Sequence, residues 1–146
     1  MKKACSLLIL AALLSLPLQA GDFFCKRYDI QLKGTVRLDE TVGDIAVQDI
    51  VFEFPAYLGP DKLKIQGKNQ AVVTVKNYGD ESLKIRLAVA LFDENGNLVG
   101  CGTTGSKLGS TRPRETETFF ITFDWVDSRL SAAKVYYLTV ETEPAR

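Results

Sequence analysis

Leu83-Lys84-Ile85-Arg86-Leu87-Ala88-Val89-Ala90-Leu91-Phe92 runs into Asp93-Glu94-Asn95-Gly96-Asn97 and then Leu98-Val99. Leucine, isoleucine or valine fills every second position from Leu83 to Leu91. A period of two marks a strand, because successive side chains leave a pleated backbone on opposite faces. Asn95-Gly96 supplies the positive φ of a tight hairpin turn at little steric cost. The segment therefore predicts a strand, a turn and a return strand over Leu98 to Thr104.

Strand signals continue on both sides. Gln70 to Lys76 is rich in valine and ends in the turn residues Asn77-Tyr78-Gly79-Asp80. Leu63 and Ile65 mark a short strand before it. Ile45 and Val47 begin an earlier run, which Ile50, Phe52 and Phe54 continue in the other phase. That slip, near Gln48-Asp49, predicts a bulge or bend. Pro55 and Gly59-Pro60-Asp61 close the run. Tyr28, Ile30, Leu32, Val36 and Leu38 read as one alternating strand. Towards the C-terminus, Lys107 to Arg114 is a polar loop, and Phe119, Ile121 and Phe123 share one face of a strand over Thr116 to Asp124. A short turn is expected around Val126 to Ala133, then a last strand over Val135 to Glu141. No window after residue 20 carries a helical period. Seven or eight short strands imply an all-β chain, an antiparallel immunoglobulin-like β-sandwich.

The first twenty residues read as an address. Lys2 and Lys3 precede the apolar run Leu7 to Leu16, Pro17 breaks it, and Leu18-Gln19-Ala20 resembles a cleavage site. This is the layout of a cleavable signal peptide, and the run is short for a bilayer of roughly 30 Å. Residues 1–20 are thus expected to be removed, and 21–146 to form a single domain with no stable membrane span. The location expected is periplasmic or secreted. Loss of Cys5 leaves Cys25 and Cys101, an even pair in an exported chain. A disulfide between them is expected. It would close a loop of about 76 residues and stabilise the fold by about 4 kcal/mol.

Composition removes whole classes of function. The 146 residues carry 18 basic and 18 acidic side chains, so no net field draws nucleic acid. There is no histidine, which excludes Ser-His-Asp triads, Cys-His dyads and histidine metal sites. With Met1 lost as well, soft copper binding through Met and His is excluded.

Val73-Thr74-Val75-Lys76-Asn77-Tyr78-Gly79-Asp80, the hairpin Val89 to Val99 and the strand Phe119-Phe120-Ile121-Thr122-Phe123 together resemble the FxLYD-type immunoglobulin-like domains of bacterial exported proteins. The resemblance spans roughly residues 63 to 141. Phe92 stands where tyrosine is usual, and Val89 where the family has phenylalanine. The resemblance implies a sandwich fold and an exported setting, and it brings no catalytic residues.

Each chemical motif has a plainer counterpart. Gly100-Cys101-Gly102-Thr103-Thr104-Gly105 matches G-x-G-x-x-G. A dinucleotide site needs those glycines to open a helix, whereas here they follow a hairpin. A glycine-rich strand end is expected. Asp93 to Asn97 fails the spacing of an EF-hand, and Asp80, Glu81, Asp124 and Asp127 read as solvated loop residues. Glu115 and Glu117 would need a sugar cleft for hydrolysis, and read instead as edge-strand charges. No enzyme activity, cofactor or metal is expected. Lys62, Lys64, Lys68, Lys76, Lys84 and Arg86 make the middle of the chain basic, either as a solvated sheet face or as a stripe for an anionic envelope polymer.

The last strand is apolar on both sides. Val135 and Tyr137 share one face, and Tyr136, Leu138 and Val140 the other. It is either covered on both sides or meets a partner with one. The candidate binding face is Trp125, Tyr136, Leu138 and Val140. The expected function is a non-catalytic interaction or structural module of the bacterial cell envelope. It would bind another envelope protein through a sheet face or edge. The alternative is a small carbohydrate-binding module that stacks exposed aromatics on glycan.

Overall fold

A computed structural model describes residues 21–54, 68–124 and 129–145 of the protein. Among them are eight strands: β1 (Phe23–Asp29), β2 (Val36–Val42), β3 (Ile45–Glu53), β4 (Gln70–Asn77), β5 (Leu83–Phe92), β6 (Leu98–Gly105), β7 (Thr116–Thr122) and β8 (Val135–Pro144). A 3-10 turn, Leu130–Ala132, precedes β8. The front sheet has the order β1-β8-β5-β6 and the back sheet β2-β3-β4-β7, and every pairing is antiparallel. The expected antiparallel sandwich is therefore the fold. Strands β3, β4 and β7 against β6, β5 and β8 keep the strand order of an immunoglobulin-like sandwich. The N-terminal β1 takes the place beside β8 that the final strand fills in those domains.

The core forms where alternate residues of both sheets meet. Val47, Ile50, Val73 and Val75 come from the back sheet, and Leu87, Val89, Leu91 and Leu138 from the front; all are buried. The expected bulge is present. Val47 pairs with Val75 and Asp49 with Thr74, so Gln48 is an extra residue. It reverses the phase of β3 and turns Ile50, Phe52 and Phe54 inward with Ile45 and Val47. Phe52, Phe54, Phe123, Tyr136 and Tyr28 join in an aromatic cluster through edge and stacked contacts of 4.9–6.0 Å.

One expected strand is two. Tyr28 lies in β1 of the front sheet, whereas Val36 and Leu38 lie in β2 of the back sheet. Gly34, at φ 86, lies in the crossing between them. The alternation persisted because both pieces lay side chains against the same core. The Leu63–Ile65 strand, Lys62, Lys64, Trp125 and the signal segment lie outside the described residues.

The two sides of the sandwich are closed differently. At Gly102 in β6, a Cβ would stand 2.4 Å from the carbonyl oxygen of Thr122 in β7, so only glycine permits this approach. On the other side, Glu40 of β2 accepts hydrogen bonds from Lys26 and Tyr28 of β1. Asn77 ties two loops together. Its amide nitrogen donates to the carbonyl oxygens of Glu81 and Thr111, and its side-chain oxygen accepts from the Gly79 N–H.

Candidate functional site

Strand pairing places the outward side chains of the front sheet in rows. Reading β1, β8, β5 and β6 across, one row is Arg27, Tyr137, Ala90 and Cys101. The next is Cys25, Thr139, Ala88 and Thr103. Beyond the first row stand Asp29, Val135, Phe92 and Leu98, and beyond the second Phe23, Glu141, Arg86 and Gly105. Between β8 and β5 the middle rows thus hold no charge. Tyr137 is 38% exposed and meets Phe92 edge-on at 5.5 Å. Beside it lies an open depression of about 850 Å³, lined by Ala90, Phe92 and Tyr137 and also by the charged Arg27, Asp93 and Lys134.

Charge stands at both ends of this face, with Asp93, Glu94 and Lys134 at one and Arg86, Glu141 and Glu143 at the other. Arg86 donates to Glu141 at 3.2 Å and to Glu143 at 3.1 Å, and these two carboxylates push its pKa up. Two members of the expected basic stripe are thus engaged and on different sheets. Arg86 is held by acids of the neighbouring strand, while Lys76 lies in the back sheet, 4.8 Å above the Tyr78 ring.

Two expectations about site residues are corrected. Tyr136, Leu138 and Val140 are each 0% exposed. They form the inner face of β8, so no partner meets them. The apolar residues of that strand that face outward are Val135 and Tyr137. Trp125 lies outside the described residues. The expected disulfide is not formed either: Cys25 and Cys101 are both free and exposed. They stand on the two edge strands of one sheet, with β8 and β5 between. Three strand spacings are about 14 Å, against a Cα–Cα limit near 7 Å for a disulfide. An even cysteine count says nothing about which strands carry them.

The remaining motifs serve local structure. The whole G-x-G-x-x-G segment lies in β6, with Gly102 at the close approach to β7. The Asp93 carboxylate accepts from the backbone of Asn95 and from the backbone and side chain of Asn97, which lowers its pKa. Gly96 takes φ 79 in that turn. Glu117 accepts from the Thr111 hydroxyl and the Lys107 N–H, and Glu115 from the Arg112 N–H. Glu117 lies on β7, an edge strand of the back sheet, and both acids also fasten the β6–β7 loop. Among the described residues no cluster of acids and cysteines suits a metal ion. No helix among them is long and apolar enough to cross a membrane.

Sequence reasoning raised Tyr137 and Val135 as one of two possible faces, but chose the other face and did not join Phe92, Ala88 and Ala90 to them. The signal was the two-sided apolarity of β8, but only the packing of the back sheet shows which side is outward. No family model matches the chain, and no curated protein matches it.

Proposed function

We propose that this chain is an exported, non-catalytic binding module of the cell envelope, periplasmic or secreted, that holds a protein partner against the outer face of its front sheet. The observation that carries this reading is the uncharged middle of that face. Tyr137, partly exposed, stands beside Ala90 over an open depression whose lining also carries charged residues. Aromatic anchors beside small residues, ringed by polar groups, suit protein recognition. The leader-like residues 1–20 and the resemblance to FxLYD-type domains support the exported setting. The acids that a hydrolase reading would use, Glu115 and Glu117, are engaged in fastening a loop. A glycan site would favour a line of open rings, whereas Tyr136 is buried and Tyr137 is turned against Phe92.

Crosslinking in intact native cells followed by purification tests the reading. A stoichiometric envelope protein should accompany the wild-type chain and the back-sheet variant Phe120→Glu, and be lost with Tyr137→Glu. Retention of the partner by folded Tyr137→Glu moves the site elsewhere. Absence of any partner, with binding on a glycan array, replaces this reading with the carbohydrate one.

A further inference from the structure

The outer face of the front sheet is complementary to itself. Its two middle strands, β8 and β5, are matched in three of their five outward rows; the other two set Val135 against Phe92 and Thr139 against Ala88. Where β8 has Tyr137, β5 has Ala90; where β8 has Glu141 and Glu143, β5 has Arg86 and Lys84. A two-fold axis parallel to the strands, above the seam between β8 and β5, exchanges these strands between two facing copies. Tyr137 then lies over Ala90 of the second copy, large against small. Glu141 lies over Arg86 and Glu143 over Lys84, acid against base. Each contact occurs twice, as an isologous interface requires. The back sheet lacks this pattern. Across its middle strands β3 and β4, the outward rows are Glu53 with Gln70, Val51 with Val72, Asp49 with Thr74 and Ala46 with Lys76, and none pairs acid with base.

We propose that the partner held by this face is a second copy of the chain, in a face-to-face dimer with its two-fold parallel to the strands. The proposal rests on the reading of the front sheet as the docking face and names the occupant. Four strands and four rows cover ~19 Å by ~27 Å, or ~500 Å² per copy. Two copies reach ~1,000 Å², the lower bound for a specific interface, so a weak, concentration-dependent dimer is expected. The same symmetry gives the two exposed cysteines a diagnostic position. It lays β1 of one copy over β6 of the other, bringing Cys25 to the same edge as Cys101 of the second copy. They sit one row apart, about 7 Å along the strands and about 10 Å across the interface. Cys25 and its own symmetry mate are a further ~14 Å apart sideways, as are the two copies of Cys101.

The exported chain, purified from a precursor carrying Cys5→Ser, is studied by sedimentation from about 1 to about 200 µM, with folding followed by circular dichroism. The wild type should pass from monomer to dimer. Ala90→Arg, which fills the space opposite Tyr137, should weaken the dimer at least tenfold. Tyr137→Glu is the second variant, and should do the same. A bismaleimide spanning about 9 Å should link two wild-type copies but neither Cys25→Ser alone nor Cys101→Ser alone. An equal mixture of these two variants should be linked again. A wild type that stays monomeric throughout, or a single-cysteine variant that links to itself, overturns the proposal. A monomer that still captures an envelope protein through Tyr137 overturns the dimer and leaves the envelope-partner reading standing. A dimer dissolved by Ala90→Arg, with no host partner at the face, supports the dimer and overturns the envelope partner.

Discussion

The two faces of β8 use the same kind of residue for opposite ends. Tyr136, Leu138 and Val140 face inward and are wholly buried, whereas Val135, Tyr137 and Thr139 face outward. The inward set packs against the back sheet and holds the sandwich together. The outward set shares a surface with small alanines of β5 and lines a depression. Hydrophobicity alone therefore does not distinguish core from contact surface in this strand. What distinguishes them is the layer on the other side, present in one case and absent in the other.

That contrast is broken most strongly from the inside. Leu138→Ala should destabilise the fold by about 3 kcal/mol, because a buried methyl cluster is removed from between two sheets. Thr139→Ala, next along the strand but outward, should change it by less than about 0.5 kcal/mol. Urea unfolding of both variants measures the difference. Equal effects would mean that the strand's faces are wrongly assigned.

Gly102→Ala should cost about 2 kcal/mol by overpacking, since its methyl would press on the Thr122 backbone. Gly105→Ala, whose Cβ would stand 3.3 Å from the Ile85 carbonyl oxygen, should cost less. The thermal midpoints of the two variants give the order.

Tyr136→Phe sharpens the comparison through a change of sign. The Tyr136 hydroxyl is buried with no hydrogen-bond partner among the described residues, and burial raises its pKa. Its removal should leave stability unchanged or raise it by up to about 1 kcal/mol. Tyr137→Phe, on the outer face, should be neutral within about 0.5 kcal/mol. A clear loss in Tyr136→Phe would reveal a partner for the hydroxyl.

The smallest effect lies at the edge between the sheets. The hydrogen bond from Lys26, aided by that from Tyr28, holds the Glu40 carboxyl below its usual range, against partial desolvation. A carboxyl depressed in the folded state stabilises the fold above the ordinary carboxylate pKa. That contribution is lost as pH falls through the depressed value. Both partners are partly exposed, so the term should stay below about 1 kcal/mol. Glu40→Gln should flatten the fall in stability between neutral and acid pH. An unchanged slope would remove Glu40 as the cause.

Local chemistry was legible wherever neighbouring residues were enough. The Asn95-Gly96 turn, the strand phase of β5 and the inward set Phe119, Ile121 and Phe123 were all expected and are present. So was the slip at Gln48, because a bulge leaves its mark in the order of apolar residues. The split of Tyr28 to Leu38 was hidden, because two strands facing one core from opposite sheets keep a single alternation. The candidate site was legible only in part. Its strand was singled out, but the residues chosen on it, Tyr136, Leu138 and Val140, are the buried ones.

By itself, then, the sequence determined an all-β chain, the positions of most strands, the turn chemistry and the exclusion of histidine-based catalysis. Those properties depend on residues within a few positions of one another. Tertiary structure alone decided that Cys25 and Cys101 stand on opposite edges of one sheet. It decided that Tyr137 faces out while Tyr136 faces in, and that Arg86 shares a row with Glu141. The second depends on which face the back sheet covers, and the others on which strands pair and in what register. Register joins residues far apart in the chain, and alternation along one strand carries no record of its neighbours.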